Sequence, residues 1–190
     1  MGKVKPPYGK NDHAKIIKMI AEGMFAKNGK LRYCELGIRR SPTFNYVSPL
    51  CKEAYAVDIN KDCLKFIQNF KQVIWKNMTS HEFLELHDKN KKFDLVFIDA
   101  CHEYETSKKD FELSFELLNN NGIILLHDVY PPSKEFISSS YCGDTYKLAD
   151  YIRDNYFDKC EYCTLPFYFG IGIVRKRLRN HLNWDKIGEI

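Results

Sequence analysis

Five stretches of this 190-residue chain close on polar side chains suited to joint chemistry: Glu35-Leu-Gly37, Val57-Asp58, Lys76-Asn77, Asp99-Ala-Cys-His102 and His127-Asp128. Carboxylates there could accept hydrogen bonds from ribose hydroxyls, hold a hard cation, or cap a helix. His102, three residues past Asp99, adds proton transfer, because imidazole changes charge near neutral pH. Asp58 follows Gly37 by about the spacing at which dinucleotide folds set an acid on the ribose. The GxGxxG pattern is nevertheless incomplete: only Gly37 is present, and Arg40 and Ser41 stand where later glycines would admit a pyrophosphate. Nicotinamide hydride transfer is thereby disfavoured, and without a GxxxxGKS or GxxxxGKT loop nucleotide hydrolysis has no support.

Such residues converge only if strands carry them to one edge. Apolar runs of strand length alternate with amphipathic stretches of helix length, the rhythm of a mainly parallel sheet covered by helices. Strands are expected at 31–36, 54–58, 73–75, 93–99 and 123–126. A first helix, capped by Asn11 or Asp12, should bury Ile16, Ile17, Ile20 and Met24 and end near Asn28-Gly29. Further helices are read at 61–70, around Phe83, Leu84 and Leu86, from Phe111 to a stop at Asn119–Gly122, and at 144–157. The last two strands, 161–166 and 169–174, lie close enough in sequence to pair as an antiparallel hairpin at a sheet edge. In open parallel sheets ligands bind beyond the carboxyl ends of the strands, where the five polar ends fall.

Composition narrows the class further. With 44% hydrophobic and 14% aromatic residues the chain can build a core without staples, and a net charge of +4 is too mild to call for a polyanion. Lys3, Lys5, Lys10, Lys15 and Lys18 interrupt any signal-peptide core, and no run of apolar residues is long enough to span a bilayer. We expect a soluble, cytoplasmic, single domain over 1–190, with an N-terminal helix region (1–29), a cofactor-binding core (30–175) and a tail (176–190) that is basic at first. The cysteines at 34, 51, 63, 101, 142, 160 and 163 read mostly as reduced core thiols. Cys160-x-x-Cys163 is the one zinc-like or redox-like spacing, and it has no second pair.

In order, the acid-x-Gly turn, the acid at 58, Phe97-Ile-Asp99-Ala-Cys-His102-Glu-Tyr104, Asp110 and Asn121-Gly122-Ile-Ile-Leu-Leu-His-Asp128-Val resemble a class I S-adenosylmethionine-dependent methyltransferase. More narrowly they are similar to the small O-methyltransferase group that acts on sugars, catechols and other small-molecule hydroxyls. The resemblance implies an α/β fold, a Rossmann-like doubly wound sheet of seven mostly parallel strands with a C-terminal antiparallel hairpin. It implies S-adenosylmethionine as cofactor, with Glu35 and Gly37 flanking its methionine part, Asp58 at the ribose, Ile59 next to it as a further cofactor contact, Asn77 and Met78 at the adenine, and Asp99 beneath the sulfonium. Asp99 and His102 are the catalytic candidates, His102 as general base. Asp99 and Asp128 are candidate ligands for a magnesium ion that keeps several waters.

This chain departs from many relatives at Cys101, which stands where they carry an acid, and at strand five, where the paired ligands could be His127-Asp128 or Asp128-Val129. His127 reads better as a buried strand histidine than as a ligand, and Asp110 as a surface or helix-pairing residue. The loops 38–50 and 130–145 should shape the acceptor pocket, with Tyr46, Tyr104, Tyr130, Tyr141, Tyr146 and Phe167 near its mouth. Arg39 and Arg40 could meet the cofactor carboxylate, meet an anionic acceptor, or simply start a helix in solvent. The expected partner is a small-molecule hydroxyl, such as a sugar or glycan unit. Rival readings are a nucleic-acid methyltransferase, for which the Asp/Asn-Pro-Pro-Tyr/Phe signature is missing after residue 98, an inert cofactor-binding protein, and a hydroxylase on the same fold.

Overall fold

A computed structural model of the chain describes residues 12–25, 31–68, 70–166 and 168–177. Strands β1 (Leu31–Leu36), β2 (Cys51–Val57), β3 (Val73–Lys76), β4 (Phe93–Ile98), β5 (Leu118–His127), β6 (Cys160–Leu165) and β7 (Ile171–Lys176) form one sheet in the order β3-β2-β1-β4-β5-β7-β6. The first five pair in parallel. β7 runs antiparallel between β5 and β6, so the expected hairpin is present and β6 forms the edge. Five α-helices accompany them among the described residues: α1 (Asp12–Phe25), α2 (Pro42–Val47), α3 (Ser80–Leu86), α4 (Tyr104–Glu116) and α5 (Lys147–Tyr156).

Side chains on successive strand residues point to opposite faces, and here both faces are apolar. On one face Tyr33, Ala54, Leu95, Phe97 and Leu125 pack with Ile17 and Ala21 of α1 and with Phe44 and Val47 of α2. On the other, Cys34, Leu36, Val96, Ile98 and Leu126 pack with Phe83 of α3, Phe111 of α4 and Leu148 and Ile152 of α5. A side chain of leucine or phenylalanine size buried in this way stabilises by roughly 1.5 to 3 kcal/mol. At the end of the sheet away from the site, Asp94 takes hydrogen bonds from the Arg32 amide (2.8 Å) and Asn119 Nδ2 (2.7 Å), tying β1, β4 and β5 together.

Several boundaries differ from the sequence reading. The buried stripe of α1 is His13, Ala14, Ile17 and Ala21, while Ile16, Ile20 and Met24 are half-buried, because the two alanines let the helix lie close to the sheet. The expected start and end of that helix, Asn11 and Asn28-Gly29, lie outside the described residues. The stretch 61–70 is not an α-helix: a 3-10 turn spans Lys61–Phe66, with the Asn60 side chain accepting from the Asp62 amide (3.0 Å), and the chain is extended at Ile67. α4 stops at Glu116, because the Leu117 carbonyl takes the Phe93 amide (2.8 Å) and Leu118 already pairs with β4. Asn119–Asn121 thus belong to an irregular start of β5 rather than to a loop. α5 begins at Lys147 instead of 144. Cys160 and Cys163 sit three apart on β6 and face opposite sides, the first buried and the second exposed, so they form no shared site.

Among the described residues no helix is long and apolar enough to cross a membrane. Asp110 pairs helices, as one reading had it: it is fully buried on α4, and its Oδ1 lies 3.2 Å from His81 Nε2 of α3. Burial pushes its pKa up to about 6, against the opposing pull of Ser80 and His81. The folded chain therefore holds this proton more tightly than the unfolded one, and the stability it contributes is present below about pH 4 and lost as pH rises through 6. Asp110→Asn should match the native chain near pH 4 and exceed it at pH 7.5 by about 1 to 3 kcal/mol in urea unfolding. Lower stability at both pH values would show instead that the charged pair with His81 holds the helices.

Candidate active site

The site is built where β1 lies between β2 and β4, the point at which the strand order reverses and ligands bind in such sheets. Gly37 leaves β1 at φ +86°, and a Cβ there would stand 2.4 Å from the Asp99 carbonyl oxygen. Its amide donates to the Val57 carbonyl (2.9 Å), and the Asp99 amide donates to the Leu36 carbonyl (2.9 Å). These two bonds bring the ends of β1, β2 and β4 together. Asp58 is pre-oriented at that edge, accepting from the Arg39 amide at Oδ2 (3.0 Å) and the Asn60 amide at Oδ1 (2.8 Å). Asn77, after β3, donates from Nδ2 to the Asp58 and Ile59 carbonyls (2.9 and 2.8 Å), which leaves its own oxygen exposed. Ile59 is 71% exposed, and Met78 packs half-buried against the core.

Glu35 faces inward. Burial pushes its carboxyl well above the usual range, although the Tyr33 hydroxyl donates to it at 2.5 Å. It opens onto a cavity of about 600 Å³ that also takes in Gly37, Arg39, Arg40, Asp99, His102, His127 and Asp128. At the ends of β4 and β5, carboxylates and imidazoles alternate. His127 Nδ1 lies 3.2 Å from both Asp99 Oδ1 and Asp128 Oδ2, and His102 Nε2 lies 3.1 Å from Asp128 Oδ2. Burial alone would neutralise His127, yet the two carboxylates outweigh it and hold the imidazole well above its ordinary pKa. Burial likewise opposes charge on Asp99, and the imidazoles, His127 foremost, hold its carboxyl below the usual range.

The loop that bears His102 is clamped from the segment before α5. The Asp144 amide donates to the His102 carbonyl (3.1 Å), Asp144 Oδ1 accepts from the Tyr104 amide at the start of α4 (2.6 Å), and Ser107 Oγ donates to the Cys101 carbonyl (2.7 Å). Asp144 therefore supplies the cap that α4's own Glu103 does not. Gly143 is required for the approach, since a Cβ there would lie 1.8 Å from the His102 carbonyl oxygen.

The structure brings Glu35, Gly37, Asp99, His102 and Asp128 into one cavity and places Asp58, Ile59, Asn77 and Met78 beside it, at the ends of β2 and β3, without lining it. Of the aromatic residues expected at the mouth, Tyr141 lines the cavity; Tyr46, Tyr104, Tyr130 and Tyr146 do not, and Phe167 is outside the described residues. Sequence reasoning missed His13, Tyr168 and Phe169, which complete the wall. The rings of His13 and Tyr168 lie 4.7 Å apart and those of His13 and His127 4.9 Å. It also missed Asp128 as the partner of His102. One oxygen or nitrogen from each of Asp99, His102 and Asp128 lies within 4.8 Å of the others, a donor set that fits a divalent cation.

Residues 43–129 match a family model described as a methyltransferase domain. Among solved structures the chain is similar to the O-methyltransferase from Bacillus cereus in complex with S-adenosylhomocysteine, at 12% identity over 90% of this chain and 83% of that one, with a TM-score of 0.68. It is similar to a protein from Corynebacterium glutamicum (14% identity, 93% and 86% of the chains, TM-score 0.73). A third likeness is to an rRNA methylase from Streptococcus thermophilus (9% identity, 94% and 100% of the chains, TM-score 0.63). No curated protein sequence matches. At these identities the structures speak for the fold, and the fold is that of the class I S-adenosylmethionine-dependent methyltransferases, as the strand-end motifs implied.

Gly143→Ala should force the two loops apart, lowering stability by about 2 kcal/mol or more and releasing His102 from Asp128. Thermal unfolding and the histidine ring signals in NMR read this directly; an unshifted midpoint with unchanged His102 signals would contradict the clamp.

Proposed function

We propose that this chain transfers the methyl group of S-adenosylmethionine to a hydroxyl of a small molecule, a sugar or glycan unit being one such acceptor. The observation that carries the reading is the single cavity joining the Gly37 turn to Asp99, His102 and Asp128. In this reading the methionine part of the cofactor lies along Glu35 and Gly37, its ribose hydroxyls meet the lone pairs of Asp58 that the loop amides leave open, and Asn77 reads the adenine amino group through its oxygen. Met78 and Ile59 offer apolar surface to the base. Asp99 lies beside the sulfonium.

The sulfonium methyl is already activated, so alignment is the larger task and can supply about 7 to 11 kcal/mol of the barrier. The acceptor oxygen attacks the methyl carbon, the carbon–sulfur bond breaks, and S-adenosylhomocysteine leaves. The acceptor proton passes to His102, whose Nε2 is held by Asp128, leaving its second ring nitrogen for the acceptor. In place of that base, a divalent ion bound by Asp99 and Asp128, with His102 as third donor, would supply Lewis-acid activation of the same hydroxyl. The rRNA methylase likeness speaks only for the fold, and the residues after β4 do not form the signature of amino-methylating nucleic-acid enzymes.

The test is release of S-adenosylhomocysteine from a panel of hydroxyl acceptors, with excess chelator or added magnesium. His102→Ala should lower kcat by about 10²-fold or more while affinity for S-adenosylhomocysteine stays within about twofold. Equal losses in both would make His102 a cofactor contact. Turnover that chelator abolishes and magnesium restores would assign the Asp99 and Asp128 pair to a metal.

A further inference from the structure

Arg39 and Arg40 line the cavity, are exposed, and make no ion pair with any described residue. The acids that share the cavity already have partners: Glu35 the Tyr33 hydroxyl, Asp99 and Asp128 the imidazoles of His127 and His102. Asp58, the acid beside them, bonds the Arg39 backbone amide and forms no ion pair with either guanidinium, so two adjacent guanidinium groups stand at the rim without an ion-pair partner among the described residues. The turn that carries them is fixed, since the Arg39 amide bonds Asp58 and its φ is +47°. Elsewhere on the wall are flat apolar faces: Tyr141, Tyr168 and Phe169, with Phe169 packed 5.2 Å from the Phe136 ring. Guanidinium recognises carboxylate or phosphate through paired hydrogen bonds, and aromatic faces accept the flat or C–H side of a ring.

We propose that the acceptor is an acidic hydroxylated ring, its carboxylate or phosphate held by Arg39 and Arg40 and its ring laid against the aromatic wall. This rests on the transfer reading above and narrows it to one chemical class. The cofactor's own carboxylate is the other anion within the same chemistry, so the experiment must separate the two.

Calorimetry of matched pairs does so: catechol against 3,4-dihydroxybenzoate, and glucose against glucuronate and glucose 6-phosphate, each with the native chain and the R39Q/R40Q variant, with and without S-adenosylhomocysteine. The acid of each pair should bind the native chain at least about tenfold tighter than its neutral partner, the worth of one charge-assisted hydrogen bond. R39Q/R40Q should abolish that preference, with affinity for S-adenosylhomocysteine within about twofold of native. Equal binding of acid and neutral compounds, no measurable binding of any acid, or a loss of S-adenosylhomocysteine affinity in step with the acid preference would overturn the proposal. Failure of the native chain to bind S-adenosylhomocysteine while the acid preference persists would sink the transfer reading and leave the anion site standing.

Discussion

At Gly37 the end of β1 passes so near the end of β4 that a Cβ would stand 2.4 Å from the Asp99 carbonyl oxygen. That contact forces a residue tolerant of φ +86° at the head of the crevice, and it sets Glu35, Asp58 and Asp99 side by side although they are far apart in sequence. Everything the site does depends on this close approach, because parallel pairing on both sides of β1 fixes the register of three strand ends at once.

Charge is arranged around the same point by burial. Asp128 and His127 are almost wholly enclosed and would be costly there singly, but alternating carboxylate and imidazole makes each the other's solvation. The arrangement also orients His102, through Asp128 on one side and the Gly143–Asp144 clamp on the other. The clamp comes from the segment ahead of α5, so the same segment that walls the cavity governs the geometry of the candidate base. The cavity wall and the candidate base are mechanically linked.

The strand ends were legible because buried parallel strands are short continuous apolar runs, and a polar residue at the close of each marks the ligand edge. Asp99 and Asp128 could be placed on that edge from the runs alone, while the strand order that makes them neighbours came from the family resemblance. What could not be read was set by distant contacts. The spacing of Leu64, Ile67 and Phe70 fits a helix, yet Asn60 caps a 3-10 turn and the chain straightens before β3. Asn119–Asn121 look like a helix stop, but pairing with β4 draws their neighbourhood into β5. His13 reached the site because Ala14 and Ala21 turn α1 by one residue from the face its large apolar residues suggest. Tyr168 and Phe169 sit in a turn at positive φ, a conformation that nothing in their residue types announces.

All of this turns on whether the crevice between β1 and β4 takes S-adenosylmethionine. Thermal unfolding with S-adenosylhomocysteine, and with NAD as the control nucleotide, tests it most directly. At 100 times its dissociation constant a ligand adds about 2.7 kcal/mol, which for a chain of this size raises the midpoint by roughly 5 to 10 °C. A rise with S-adenosylhomocysteine and none with NAD is the predicted result; no rise with S-adenosylhomocysteine, or an equal rise with NAD, would contradict the account.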